Sequence, residues 1–359
     1  MLIYLDNSIC QAIEAPSPNS EIIESLEDLA SVIRSGSHLI LGDFKVLKAL
    51  ASLSSLGLSA RAAFKASLNK FPQQASALKH VSTYTKITAN NQVPTRAESD
   101  GKKIITIPLS LIQRMNLKAP VEIIFEELND SSIYEIISRW YLKSFISPGF
   151  INRNYRSIHG GGGRTHVVYT DAQNRNDQFC LCITDSDKKF PTDEFGQTSK
   201  DVRASEQTDK VLSYHMDLDF HEVENLVPLN FLLEKCKTKP SQDLVSQIKS
   251  ADQNGNPEAK LFWDYKKGFK LSTLKSLDGG WTYWKRAFNL QEIECSEKCK
   301  TKDCTCEILK PWPEKRIVKD EITNLADMDP SECRVLHGLW TDIGKVLISW
   351  SISGTPKVA

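Results

Sequence analysis

Three short acidic segments are the residues of this 359-residue chain best placed to do chemistry. Glu126-Glu127-Leu128-Asn129-Asp130 follows the apolar run Val121 to Phe125, and Asp185-Ser186-Asp187 follows Phe179 to Thr184. His221-Glu222-Val223-Glu224-Asn225 lies within a third apolar segment, Val211 to Leu233. If the runs are parallel strands, their carboxylates stand at the C-terminal sheet edge, where ligands and metals collect. Asp185 and Asp187, two apart in extended chain, then project to one side. Hard oxygen ligands on one face suit Mg²⁺ or Mn²⁺, ions that keep waters and hold phosphate oxygens. Taken singly, Asp-x-Asp and Glu-x-Glu pairs are common on solvated turns, so the order of the three segments is the stronger signal. His221, beside an apolar stretch, reads as a hydrogen-bonded structural residue rather than a base.

A second chemical cluster is Cys295-x3-Cys299-x4-Cys304-x-Cys306. Four thiolates at such spacing can close a tetrahedral Zn²⁺ site, and a structural zinc knuckle is the leading expectation. A looser site, ordinary reduced cysteines and a redox switch are the alternatives. Trp281, Trp284, Lys285, Arg286, Lys298, Lys300, Lys302 and Lys310 mix aromatic and basic residues that could contact nucleic acid, or simply form surface and small core.

The elements that must position these groups read as α/β. Leu2 to Leu5 and His38 to Leu41 are strand-like, with a helical pattern over Ile22, Ile23, Leu26, Leu29 and Ile33 and another helix from Asp43. They define a small N-terminal α/β domain, 1–100, that closes in a polar linker from Thr88 to Lys102. Val121 to Phe125 is a strand feeding a helix over Ile133, Ile136, Ile137, Trp140 and Tyr141. The glycine run Gly160 to Gly163 and a β-branched stretch Thr165 to Tyr169 precede the strand Phe179 to Thr184. Lys188 to Lys210 and Thr238 to Glu258 are polar and read as exposed loops, and Val346 to Ile352 alternates as a strand. The middle domain is 101–275 and the Cys/Trp-rich region 276–359.

Forty-five basic residues balance 45 acidic ones, so no global field draws the chain to a polyanion. No 18-residue apolar run is present and Met1 to Cys10 lacks a basic signal-like start, which excludes an integral membrane protein and predicts a cytoplasmic one. Nine cysteines, an odd number, fit reduced thiols better than a disulfide framework. Gly160-Gly161-Gly162-Gly163-Arg164-Thr165 lacks the lysine and spacing of a Walker A loop, which occurs nowhere in the chain.

With these residues in view, Val121 to Gly268 resembles the Toprim catalytic domain of OLD-type and related bacterial phage-defence nucleases. There an apolar strand ends in Glu, commonly as Glu-Gly-x-x-Asp, an Asp-x-Asp ends a later strand, and a His-x-(Ile/Val)-Glu-Asn segment follows. Here Glu126 to Asp130, Asp185 to Asp187 and His221 to Asn225 match in that order, with Glu127 where the pattern carries glycine. The resemblance implies a Toprim-like core with a mainly parallel sheet and metal-dependent hydrolysis of DNA, tRNA or other RNA. It implies Glu126, Asp185, Asp187 and Glu224 as catalytic metal ligands, with Asp130 and Glu222 beside them, and Lys266 or Lys267 steadying the leaving oxygen. It also implies a partner ATPase or sensor subunit, a homo-oligomer, and a role in antiviral defence. A non-catalytic nucleic-acid- or protein-binding subunit is the alternative, and primase-like phosphoryl chemistry a third reading.

Overall fold

Two sheets collect the apolar runs. The computed structural model describes residues 1–14, 19–90, 92–146, 151–235, 239–290, 306–311 and 328–356. The first sheet has the order β2-β1-β3-β5-β4, with β1 (Leu2–Leu5), β2 (Leu39–Gly42), β3 (Thr83–Thr88), β4 (Thr95–Ser99) and β5 (Lys102–Pro108). β1, β2, β3 and β5 pair in parallel, and only β4 is antiparallel. Helices Ser20–Ser35, Phe44–Ser52 and Leu58–Gln74 are its crossovers, as parallel pairing requires. The Ser20–Ser35 helix starts on Asn19, whose side chain accepts the Glu21 N–H, and stops at Gly36 in the left-handed region. The linker expected from Thr88 to Lys102 instead contains the antiparallel strand β4. Its exposed, polar residues mark a sheet edge that sequence polarity alone cannot tell from a loop.

The second sheet is all parallel, in the order β10-β9-β6-β8. It consists of β6 (Val121–Phe125), β8 (Tyr155–His159), β9 (Cys180–Thr184) and β10 (Ser213–Asp217), with the two-residue β7 (Asn152–Arg153) just before β8. Every residue of β6 and β9 is buried, as central parallel strands covered on both faces must be. Cys180 and Cys182 are core residues. Glu122, buried in β6, is paired with Arg156 and Arg175 and is structural. The architecture is therefore α/β, with one mixed and one parallel sheet flanked by helices.

Three expected elements differ. Thr165–Arg175 is a helix, not a strand, because it is the crossover from β8 to β9, and that topology overrides the weak β preference of Thr165, Val167 and Val168. The polar stretches expected as loops contain helices Gln197–Ser205 and Lys239–Gln253. Val346 to Ile352 lies mostly within the helix Arg334–Ser351. That helix buries Leu336, Trp340, Ile343, Leu347, Ile348 and Trp350 around more than one face, so a seven-residue window shows no helical polar stripe. It packs on helix Ser131–Phe145, where Gly344 lets the backbone meet Tyr141: a Cβ there would lie 2.6 Å from the Tyr141 Cβ. Its end touches both sheets, since the Ser82 N–H donates to Ser349 Oγ at 2.8 Å and Trp350 stacks on Tyr214 of β10.

Candidate metal centre

The three acidic segments leave the same edge of the second sheet. Glu126 follows β6, Asp185 follows β9, and His221 to Glu224 follows β10 by a short turn. Each strand is in register with its neighbour up to that edge, with Phe125 opposite Ile183 and Thr184 opposite Asp217.

The turns are held by named bonds. The Asp187 N–H donates to the His221 carbonyl at 2.9 Å, the Val223 N–H donates to Asp185 Oδ1 at 3.2 Å, and the Ser186 hydroxyl donates to the Phe220 carbonyl. Asp-Ser-Asp is thus strapped to the third segment. It is not extended chain: Asp187 sits at φ +56°. The positive φ redirects the chain at Asp187, so strand alternation does not set where the two carboxylates point. Asn225, fully buried, donates to the carbonyls of Lys260 (2.7 Å) and Trp263 (2.9 Å) and accepts the Glu222 N–H (2.9 Å). Those bonds bring the segment carrying Asp264 and Lys266 against Glu222 and Glu224.

The glycine run serves the β6 end. The Gly160 N–H donates to the Phe125 carbonyl (2.7 Å) and the Gly162 N–H to that of Glu126 (3.1 Å). A Cβ on Gly160 would lie 2.8 Å from the Phe125 oxygen, so close approach requires glycine there. Glu127, where the family pattern has glycine, adopts ordinary extended backbone at φ −120°. It is exposed, faces His159 at 3.2 Å, and its N–H donates to Asp130 Oδ2 at 3.2 Å. A side chain therefore fits this turn without strain.

Electrostatics mark the cluster. Burial, then Asp130, Glu224, Glu126 and Glu222, push the Asp185 carboxyl well above its usual range. Burial and Glu224 raise Asp130 to about 7. Burial and Asp187 raise Glu126, with Thr198 and the Asp185 backbone offsetting only part, and burial and Glu224 raise Glu222 against the opposing pull of Lys266. Lys266 pairs with Glu222 Oε2 at 3.1 Å and Glu224 Oε1 at 2.9 Å; burial would lower its pKa, but the two carboxylates outweigh burial and raise it. Lys267 lines the neighbouring cleft and gives its backbone N–H to Asp264 Oδ1 at 2.7 Å. Glu126 Oε2 and Glu224 Oε2 are buried with no hydrogen-bond donor among the described residues. Crowded carboxylates with orphaned oxygens are what a hard divalent cation would relieve. Among the described residues, however, the group whose ligand atoms already stand close enough to share one ion is His221, Glu222 and Asp264, so of the expected set Glu126, Asp130, Asp185, Asp187, Glu222 and Glu224 only Glu222 lies in it.

Comparison of the chain with protein-family models, with curated proteins and with solved structures finds no match. The site is thus read from its own geometry.

Two residues outside the expected ligand set stand beside it: His221, which is buried and hydrogen-bonded to the Lys188 carbonyl as expected of a structural histidine, and Asp264. His221 and Asp264 are both buried and, with Glu222, offer three ligand atoms within 4.8 Å of one another. Burial alone would lower the His221 pKa, but the Asp264 carboxylate and Glu222 raise it. They line an open cleft of about 480 Å³ with Asp187, Lys189, Gly196, Lys267 and Lys270. Asp264 lay in view between Trp263 and the chosen lysines, and its acid character was the available signal. Of the cysteine cluster, Cys295, Cys299 and Cys304 fall outside the described residues. Cys306 is half-buried, and its carbonyl accepts the Leu271 N–H at 2.9 Å. Trp284 is core, fully buried with its Nε1–H donating to the Lys189 carbonyl at 2.8 Å, which removes it from any stacking surface.

Gly196 tests whether Asp187 is a ligand. A Cβ there would stand 2.2 Å from Asp187 Oδ2 and 2.7 Å from its Cβ, so Gly196→Ala must push the whole side chain aside. Mn²⁺ affinity is expected to fall about 10- to 100-fold, in the range found when a ligand's supporting shell is lost. Isothermal titration reads this directly, and unchanged affinity would remove Asp187 from the metal set.

Proposed function

We propose that the chain is a metal-dependent nuclease with a Toprim-like core, hydrolysing phosphodiester bonds of DNA or RNA as an effector in defence against phage, under the control of a partner ATPase or sensor. The observation that supports this reading is the crowding of Glu126, Glu224 and Asp185 at one edge of the parallel sheet, the first and last following β6 and β9 and Glu224 lying in the turn beyond β10. Glu126, Asp130, Asp185, Asp187, Glu222 and Glu224 would hold Mg²⁺ or Mn²⁺, which when bound supplies an activated water and neutralises phosphate charge. The chain's own residues hold the carboxylates apart from bulk water, through the Asn225 and Ser186 straps, and place Lys266 where it can steady negative charge on a departing oxygen. Lys267 and Lys270 on the cleft wall would face the polyanion. Among the described residues no helix is long and apolar enough to cross a membrane. The zinc knuckle at Cys295, Cys299, Cys304 and Cys306 is retained as part of this proposal.

One feature favours a non-catalytic binding subunit instead: Lys266 already neutralises Glu222 and Glu224, as a lysine would in a core that no longer needs metal. The deciding experiment incubates the protein with plasmid DNA and with total tRNA, in Mg²⁺, Mn²⁺ or EDTA, beside an Asp185→Ala, Asp187→Ala variant. Metal-dependent cleavage of one polymer, lost in the variant, is expected. Binding of a polymer without cleavage under any metal, with or without candidate partners, would favour the binding subunit.

A further inference from the structure

His221 is outside the carboxylate set, yet its geometry is that of a metal ligand. Its ring is buried, 3 % exposed, and Nδ1 lies 3.0 Å from the Lys188 carbonyl. A carbonyl only accepts, so Nδ1 carries the hydrogen and Nε2 is the nitrogen facing Asp264. A metal-binding histidine is ordinarily oriented in this way, its second N–H fixed on a backbone carbonyl. Nε2 is itself buried without a hydrogen-bond partner, and Asp264 Oδ2 stands 3.7 Å away, beyond hydrogen-bond reach. Asp264 is held by the backbone N–H groups of Lys266 and Lys267 on Oδ1, at 2.9 and 2.7 Å, which leaves Oδ2 turned to the histidine.

We propose that His221 Nε2, Asp264 Oδ2 and a Glu222 carboxylate oxygen form a second site, sharing Glu222 with the carboxylate set, for a transition-metal divalent cation. The three atoms lie within 4.8 Å of one another. Ligands sharing one ion at bonds of ~2.1 Å stand up to about 4.2 Å apart, so movements of a few tenths of an ångström close the set. One imidazole with two carboxylates selects Mn²⁺, Fe²⁺ or Zn²⁺ over Mg²⁺, which prefers oxygen alone. The open cleft of about 480 Å³ beside it leaves positions for water or a phosphate oxygen. Lys266 shares Glu222 Oε2 and must yield it or leave the metal the other oxygen. The site does not depend on the nuclease reading, since it needs neither Glu126 nor Asp185.

Mn²⁺ is the probe, because thiolates elsewhere in the chain compete poorly for it. An Asp185→Asn protein, with the oxygen-only site disabled, is titrated with Mn²⁺ and examined by electron spin-echo modulation. One bound Mn²⁺ with nitrogen coupling is expected, surviving a large excess of Mg²⁺. Adding His221→Gln should abolish the nitrogen signal and weaken binding more than about tenfold. Because His221→Gln could also disturb the fold, its melting curve is compared with the parent, and the nitrogen signal of the parent stands as the primary result. Bound Mn²⁺ without nitrogen coupling, or no bound Mn²⁺, would mean that the cluster holds a proton only and overturns the site. No cleavage by the wild type in Mg²⁺ or Mn²⁺, with the nitrogen signal intact, would sink the nuclease reading alone.

Discussion

Without added metal at neutral pH, Asp185→Asn is expected to melt higher than the wild type, and it should gain little from Mg²⁺ that stabilises the wild type. The sign follows from the direction of the shift. A carboxyl whose folded pKa is raised binds its proton more tightly in the folded state, so stability present in acid is lost as pH climbs from the unfolded value toward the folded one. For Asp185 and Asp130 that window opens near their ordinary value of 3.8, and for Asp130 it runs to about 7. The asparagine does not ionise. Its oxygen can keep the Val223 N–H, and its amide can donate toward Asp130, Glu126 or Glu224 where a charge was repelled. An incompletely satisfied charge of this kind costs about 1–3 kcal/mol, which corresponds to several degrees. Bound Mg²⁺ reverses the ordering, because saturation to a hundredfold over Kd adds about 2.7 kcal/mol to the wild type. Calorimetric melts at pH 4 and pH 7.5, each with EDTA or Mg²⁺, check all four corners. The two proteins should converge near pH 4. If the wild type in EDTA is the more stable at pH 7.5, Asp185 is a satisfied structural carboxylate and the metal assignment loses its main support.

How much of this centre could be read in the chain depended on distance along it. Glu126 and Asp185 were legible because buried parallel strands are near-continuous apolar runs, broken in β6 only by the paired Glu122, so the residue that ends each run sits at the sheet edge. Glu222 and Glu224 were legible only as an ordered third segment, since four and six residues separate them from the end of β10. His221 and Asp264 were not assigned, because what joins them is Asn225 reaching 35 and 38 residues ahead to Lys260 and Trp263. No local spacing encodes that bond. In the fold, the N-terminal strands and helices agreed with their periodicity, whereas Thr165–Arg175 and Arg334–Ser351 did not. The first is a helix because two parallel strands must be joined across β6, and the second hides its period by burying several faces at once. Both failures arise where tertiary burial outweighs local preference.

That C-terminal helix also bears on the site, and Trp340 is where the dependence is strongest. Trp340 is fully buried, meets Trp140 edge-on with centroids 5.7 Å apart, and donates its Nε1–H to the Leu226 carbonyl at 2.9 Å. Leu226 closes the turn Val223–Leu226 that carries Glu224. Trp340→Ala should therefore cost about 3–5 kcal/mol in urea melts through the cavity alone. Trp340→Phe separates packing from bonding: it retains an aromatic ring but leaves the Leu226 oxygen unpaired, for a further loss of about 1–3 kcal/mol. If the indole bond braces the turn, the phenylalanine variant will also bind Mn²⁺ less tightly while remaining folded at the assay temperature. If it melts lower yet binds Mn²⁺ as the wild type does, Asn225 alone holds Glu224 in place, and the C-terminal helix supports the sheet without tuning the centre.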